Sequence, residues 1–166
     1  YMYIGPQGIV HGTTITLMNA ARKFCKGNLE GKIFVTAGLG GMSGAQPKAA
    51  SIAGMVSITA EINETAALKR YNQGWVDEIH YDVNDAILSA SKSHSEKGNK
   101  SIAFIGNIVD LWEAVIQNNL NVDLGSDQTS LHNPWAGGYY PQGYSYKEAN
   151  DLMVSDPKKF KKEVKS

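Results

Sequence analysis

The chain has one cysteine, Cys25, in 166 residues, so no internal disulfide can form. A reducing, cytoplasmic setting is the simplest expectation. Cys25 stands in a helical stretch with no base beside it in sequence, and is expected to be a packed thiol rather than a nucleophile. An excess of charge of one sign is also missing: Lys plus Arg and Asp plus Glu are 16 each. That balance excludes general attraction to nucleic acid or to a membrane surface, but leaves room for a local anion site made of backbone N–H groups. No apolar run approaches the ~20 residues of a spanning helix, and no signal peptide is visible. Without a secretion signal, the sequons at Asn63 and Asn99 are chance matches. His11, His80, His94 and His132 are scattered, and no Cys/His spacing suggests zinc, so no metal is expected. No repeat or disordered linker interrupts the chain. It starts with Tyr1 inside an apparent strand, which suggests a piece of a longer protein.

What is present is a globular composition, 42% hydrophobic, of a length that suits one domain. Its most informative stretch is residues 31–61, GKIFVTAGLGGMSGAQPKAASIAGMVSITAE. Ile33, Phe34 and Val35 are a short β-favouring run, expected to be a strand buried on both faces. Gly38, Gly40, Gly41 and Gly44 follow within seven positions, then small helix-compatible residues, then a second strand closed by Glu61. Each part suits a dinucleotide. Gly38 permits a sharp turn, Gly40 lets a pyrophosphate lie against the main chain, and Gly44 permits close helix–strand packing. The helix N-terminus offers unpaired N–H groups, and Glu61 could accept hydrogen bonds from a ribose. The spacing is irregular, with Ser43 where the third glycine belongs and Gly44 one place late. On spacing alone three readings stay open: a dinucleotide site, a glycine turn used only for packing, or a site for another nucleotide-like ligand such as S-adenosylmethionine.

Taken in order, residues 1–10 read as a short strand entering a turn. A helix follows over residues 14–25, with Ile15, Met18, Asn19 and Arg22 at helical spacing. After the glycine unit come a helix over 64–73, a short strand within 75–81, a helix over 85–96 and a buried strand over 101–105. Ile108, Leu111, Trp112, Val115 and Ile116 repeat at i, i+3, i+4, i+7 and i+8, the clearest helix of the chain. Residues 122–124 read as another strand. Residues 146–155 and 157–164 read as two helices, the last with a solvated lysine face. Strands and helices alternate about five times, and the strands lack strict polar alternation. Both features predict an α/β fold over residues 1–166. The expected architecture is a doubly wound, mainly parallel sheet with helices on both faces, Rossmann-like, in a single domain. In such a sheet the glycine turn (36–46), Glu61, Gly106-Asn107 and Asp127-Gln128 all meet at the C-terminal ends of the strands.

The loop over residues 125–144 is too long and too polar for a connector, and its aromatics argue against disorder. Gln128, Thr129, Ser130 and His132 can hydrogen-bond. Trp135, Tyr139 and Tyr140 can wall a pocket, or the loop can simply fold on its own aromatics. Asp127 or Asn133 could orient His132, but nearness in sequence proves no catalytic triad.

Three blocks, YIGPQGIVHGT, VTAGLGGMSGAQPKAA and GSDQTSLHNPWAGGYYP, together resemble the urocanase family over residues 1 to about 145. The resemblance implies the central NAD-binding domain of a cytoplasmic, homodimeric hydro-lyase of histidine catabolism. It adds water to urocanate to give 4-imidazolone-5-propanoate. The tightly bound NAD+ acts as an electrophile that forms an adduct with the imidazole, with no net redox change. Residue by residue, the family's NAD contacts fall on Gly41, Met42 and Ser43, on Glu61, on Asn107 and Ile108, and on Gln128, Thr129, Ser130, Leu131 and His132. Tyr139 and Tyr140 match its next pair. Two departures stand out. Many bacterial members have arginine five residues after the acid, where this chain has Ala66, with Arg70 as a partial substitute. Ser43 replaces a more common glycine, as in animal-type sequences, and is expected to be tolerated. The family's catalytic cysteine region and most of its substrate pocket lie outside this chain, and Cys25 does not match that cysteine. No catalytic set is complete here, and the chain alone is expected to be inactive. The other functions the sequence admits are an NAD-dependent dehydrogenase domain, though no Tyr-x-x-x-Lys relay is present, and a non-catalytic nucleotide-binding regulatory module.

Overall fold

A computed structural model describes residues 5–127 and 134–166. Five parallel strands form one sheet in the order β3-β4-β2-β1-β5. They are β1 (Ile33–Ala37), β2 (Val56–Glu61), β3 (Glu78–His80), β4 (Ser101–Ile105) and β5 (Leu124–Gly125). The helices are α1 (Pro6–Phe24), α2 (Ala45–Ile52), α3 (Glu64–Asn72), α4 (Val83–Ser95), α5 (Ile108–Gln117), α6 (Tyr146–Ser155) and α7 (Pro157–Lys165).

The alternation of side chains along each strand divides the core in two. Ile33, Val35, Val56, Ile58, Ile102 and Phe104 meet α4 and α5 on one face, through Ala86, Ile87, Ala90, Leu111 and Val115. Phe34 meets Leu17 and Ala21 of α1 and Ala50 of α2 on the other face, and Ala103 meets Ala67 of α3. Helices therefore cover both faces, as the unbroken apolar strands predict. The α2 face has an unusual feature: Thr36, Ser57, Thr59 and Ser101 are fully buried on it. Short polar side chains let α2, with buried Ala45, Ala49 and Ala50, lie close to the sheet. Ser101 Oγ donates to the Pro47 carbonyl at 3.2 Å and lies 2.8 Å from Ser51 Oγ, so part of this polar layer is satisfied by the helix itself.

Two of the boundaries that differ from the sequence reading have a clear physical cause. The N-terminal stretch is not a strand from Gly5 onward, because α1 already begins at Pro6. Proline at the first helical position costs no hydrogen bond and presets φ, which outweighs the β-branched residues that suggested a strand. The buried face of α1 is Leu17 and Ala21, whereas Ile15 and Met18 are close to half exposed. The fifth strand begins two residues late, at Leu124. Asp123 instead turns its carboxylate onto the Ile33 N–H (2.9 Å) and the Lys32 ammonium (3.0 Å), tying the start of β1 to the start of β5. Its hydrogen bond and charge raise the Lys32 pKa.

At the β3 edge, Glu78 accepts from Lys100 Nζ (2.5 Å) and Ser89 Oγ (2.5 Å), and pairs with His80 Nε2 at 3.1 Å. Burial pushes its carboxyl up, but the bonds from Lys100, Ser89 and His80 together with the Lys100 charge outweigh this and hold it at about 2. A depressed carboxyl pKa stabilises the fold above the unfolded value and loses that contribution as pH falls through the folded value. Glu78→Gln should therefore lower the melting temperature near neutrality, and the gap to wild type should close between pH 4.5 and pH 2. A gap independent of pH would show that the Glu78 charge is not responsible.

Candidate functional site

Because the sheet is parallel, β1, β2, β3 and β4 all lead into helices that start at one edge. β2 runs into α3 on one face and its neighbour β4 into α5 on the other, so a crevice opens between their C-terminal ends. Glu61 closes β2 on one side, and Gly106 and Asn107 follow β4 on the other. The Gly106 N–H donates to the Glu61 carbonyl at 3.2 Å. Asn63 caps α3 and Asn107 caps α5, each accepting an N–H two residues on.

The glycine turn lies beside this crevice, between β1 and α2. Gly38 has φ +90°, which only glycine adopts without strain, and its N–H donates to the Ala60 carbonyl at 2.8 Å. The next N–H, of Leu39, donates to Glu61 Oε2 at 2.6 Å, while Glu61 Oε1 accepts from Asn63 N–H at 2.8 Å. Glu61 thus braces the turn against the strand end. A carboxylate has about four acceptor positions, so lone pairs remain for an outside hydroxyl.

Arg70, on the buried side of α3, holds the turn from below. Its Nε donates to the Leu39 carbonyl (3.1 Å) and its Nη2 to the Gly40 (2.5 Å) and Gly41 (3.4 Å) carbonyls; Nη1 donates to Gln73 Oε1 (2.7 Å). The guanidinium lies 5.2 Å from the Trp75 ring centroid, and burial lowers its pKa from the ordinary value. In a trans peptide the C=O and the following N–H point in opposite directions. Carbonyls of residues 39, 40 and 41 turned to Arg70 therefore leave the N–H groups of Gly40, Gly41 and Met42 turned away from it. Among the described residues no group accepts these N–H groups or that of Ser43. The α2 N-terminus is different from the expectation: the Gly44, Ala45 and Gln46 N–H groups are already taken by the carbonyls of Gly40, Met42 and Ser43. The open donors are one turn earlier, a run of four that suits an anion.

The glycines of the turn then separate by cause. A Cβ on Gly44 would collide with Arg70 Nε and lie 2.8 Å from the Gly40 carbonyl, so this glycine makes room for the arginine. At Gly41 a Cβ would meet nothing within 4 Å, and at Gly40 only Ser43 Oγ at an ordinary 3.5 Å. Neither has positive φ. Nothing among the described residues requires glycine at either place, which is what a surface kept clear for a ligand looks like. Ser43 also has no positive φ, so its side chain costs no backbone strain there.

Of the other residues singled out in the sequence, Met42 is 53% exposed at the tip of the turn. Ile108 begins α5 and packs against the larger core cluster. Asn107 reaches further, its Nδ2 donating to the Tyr140 carbonyl at 2.9 Å and so joining the long loop to the β4 end. The Tyr139 N–H closes a wide turn over Pro134–Gly138 by donating to the Pro134 carbonyl at 3.0 Å. The Tyr140 ring lies 5.6 Å from that of Tyr146. Burial foremost, then Tyr146 and the charge of Glu61, push the Tyr140 phenol up. Gln128, Thr129, Ser130, Leu131 and His132 lie outside the described residues. The Trp135 ring packs against α7, with Lys161 and Lys165 5.0 and 5.4 Å from its centroid. His94 is structural, its Nδ1 2.7 Å from the Gly31 carbonyl. Among the described residues no cluster of acidic, His or Cys side chains suits a metal.

A parallel five-stranded sheet covered on both faces, with a glycine turn after its first strand and an acid closing the second, defines a Rossmann-like domain. Comparison with known proteins makes the assignment specific. A family model described as the urocanase Rossmann-like domain matches residues 5–166, and the chain belongs to the urocanase family. It is 54% identical over 167 residues to a probable urocanate hydratase of Caenorhabditis elegans, covering 100% of this chain and 25% of that protein. It is 56% identical to a probable urocanate hydratase of Dictyostelium discoideum, covering 99% and 25%, and 48% identical to urocanate hydratase of Homo sapiens, covering 97% and 25%. The chain thus spans about a quarter of the length of these relatives.

Proposed function

We propose that this chain is the NAD+-binding domain of a urocanate hydratase, a cytoplasmic homodimer that hydrates urocanate to 4-imidazolone-5-propanoate. The observation that carries the reading is the run of open N–H groups at residues 40–43, braced from below by Arg70 and flanked by Glu61. These donors suit a pyrophosphate, with no side chain at Gly40 or Gly41 in its way. Glu61 retains acceptor positions for the ribose hydroxyls. Asn107 and Ile108 at the start of α5, and Tyr139 and Tyr140, are further contacts by family correspondence. Gln128, Thr129, Ser130, Leu131 and His132 complete the set by family correspondence. Bound NAD+ would supply an electron-poor pyridinium able to draw electrons from an imidazole ring. The chain's own part is to hold that cofactor in position, with the N–H groups of residues 40–43 donating to its phosphates.

The test uses the full-length protein that contains this chain. Added urocanate should lose its ultraviolet absorbance with no accumulation of NADH, while residues 1–166 alone should give no turnover. NADH accumulation with an alcohol or hydroxy acid would support a dehydrogenase instead. Bound nucleotide with no turnover of either kind would support a regulatory module.

A further inference from the structure

We infer that Gln46 is a further cofactor-positioning residue, its carboxamide N–H donating to the carboxamide oxygen of the nicotinamide half of the dinucleotide. The inference rests on the NAD+ reading above. Gln46 is 1% exposed, in the first turn of α2 just after the glycine turn. Its Oε1 accepts from Thr36 Oγ1 at 2.9 Å and from Ser126 Oγ at 2.7 Å, two hydroxyls at the C-terminal ends of adjacent β1 and β5. With both hydroxyls donating to it, this end is assigned as the amide oxygen. The other end, Nε2, is buried and has no partner among the described residues. A buried donor left unpaired bears its full desolvation penalty, so such groups are normally satisfied, and an exception points to something that binds there.

The position of Gln46 identifies which part of the ligand it faces. In β–turn–α nucleotide sites the acid closing the second strand holds the adenosine ribose, and the pyrophosphate crosses the glycine turn. Here Glu61 closes β2 on one side of β1, and Ser126 follows β5 on the other side. A dinucleotide with its adenosine ribose at Glu61 and its phosphates on residues 40–43 carries its nicotinamide half toward β5. Gln46 lines a groove of about 350 Å³ there, between α1 and the end of β5. Gly8 and Gly12 of α1 face this groove, and a Cβ on either would meet nothing within 4 Å. The space beside Gln46 is thus kept free on the side opposite the sheet.

The test compares NAD+ with ADP-ribose, which lacks the pyridine carboxamide, by calorimetric titration of nucleotide-free full-length protein. Two variants remove the donor differently. Gln46→Glu keeps the acceptor that Thr36 and Ser126 use, and Gln46→Met keeps the length without polarity. Ligand-free melting temperatures select whichever variant folds like wild type. NAD+ affinity should fall about tenfold or more while ADP-ribose affinity changes less than twofold. An analogue of NAD+ lacking the carboxamide should bind wild type about tenfold more weakly than NAD+, and should lose nothing further in the variants. Equal losses for NAD+ and ADP-ribose, or unchanged NAD+ affinity, would overturn the role of Gln46. The analogue arm needs no variant, so wild-type affinity equal to that for NAD+ also overturns it. Failure of wild type to bind either nucleotide would instead overturn the NAD+ reading itself.

Discussion

Arg70→Met in the full-length protein should destabilise its Rossmann-like domain by about 3 kcal/mol and weaken NAD+ binding by about tenfold to a hundredfold. The side chain is 5% exposed and makes four hydrogen bonds, three of them to consecutive carbonyls of the glycine turn. Hydrogen bonds from a charged donor contribute about 1.5–3 kcal/mol each, and removal leaves their buried acceptors unpaired. Not all of that is lost, because the Gly40 carbonyl also accepts the Gly44 N–H and water can reach the outer face of the turn. The binding loss has a separate origin. Once the carbonyls of residues 39–41 are free to rotate, the opposing N–H groups no longer present one face to the phosphates.

Two companion variants distinguish this account from a general loss of stability. Arg70→Lys keeps the charge but not the planar fork, and one ammonium cannot hold three carbonyls in a row. It should recover less than half of the lost binding free energy. Gly44→Ala leaves Arg70 in the sequence and costs nothing in backbone conformation, since Gly44 has φ −60° and ψ −9°. Its Cβ takes the space of Arg70 Nε, so it should reproduce the binding defect. Circular dichroism melts and calorimetric titration with NAD+ measure both effects. Wild-type affinity in Gly44→Ala would show that the Arg70 brace does not shape the phosphate site.

These results also show how far the sequence can be read. The strand over 101–105 and the helices starting at Glu64, Ile108, Tyr146 and Pro157 were legible because each carries a local signal: an apolar run, a cap, or period 3.6. So was the meeting of Glu61, Gly106 and Asn107 at one edge, which follows from parallel topology alone. The start of α1 was hidden because β-branched residues outnumber its one helical signal, Pro6. The brace was only half legible. Arg70 stands out in sequence as a replacement for the arginine missing at Ala66, and a ligand contact is the natural guess. The structure turns it inward, onto the chain's own carbonyls, and this gives Gly44 a purpose that the glycine spacing does not reveal. The Thr36–Gln46–Ser126 cluster joins residues 80 positions apart. Only a polar residue inside the apolar run IFVTA hinted at it.

Glu61→Gln should narrow the preference for NAD+ over NADP+ at least tenfold, and the direction of each change separates two roles of this carboxylate. As a brace, Glu61 accepts the Leu39 and Asn63 N–H groups at 2.6 and 2.8 Å. Glutamine keeps one acceptor and presents an NH2 to the other N–H, so one bond, about 1 kcal/mol, is lost for every nucleotide alike. As a ribose ligand, the carboxylate does something that depends on the nucleotide. It accepts from the hydroxyls of NAD+ but repels the 2′-phosphate of NADP+. Removing the charge should therefore weaken NAD+ further while strengthening NADP+. Glu61→Ala should weaken NAD+ more than Glu61→Gln, since both N–H groups then lose their acceptor. Titration of the full-length variants with both nucleotides decides the matter. Parallel losses would reduce Glu61 to a brace for the turn and move the ribose elsewhere.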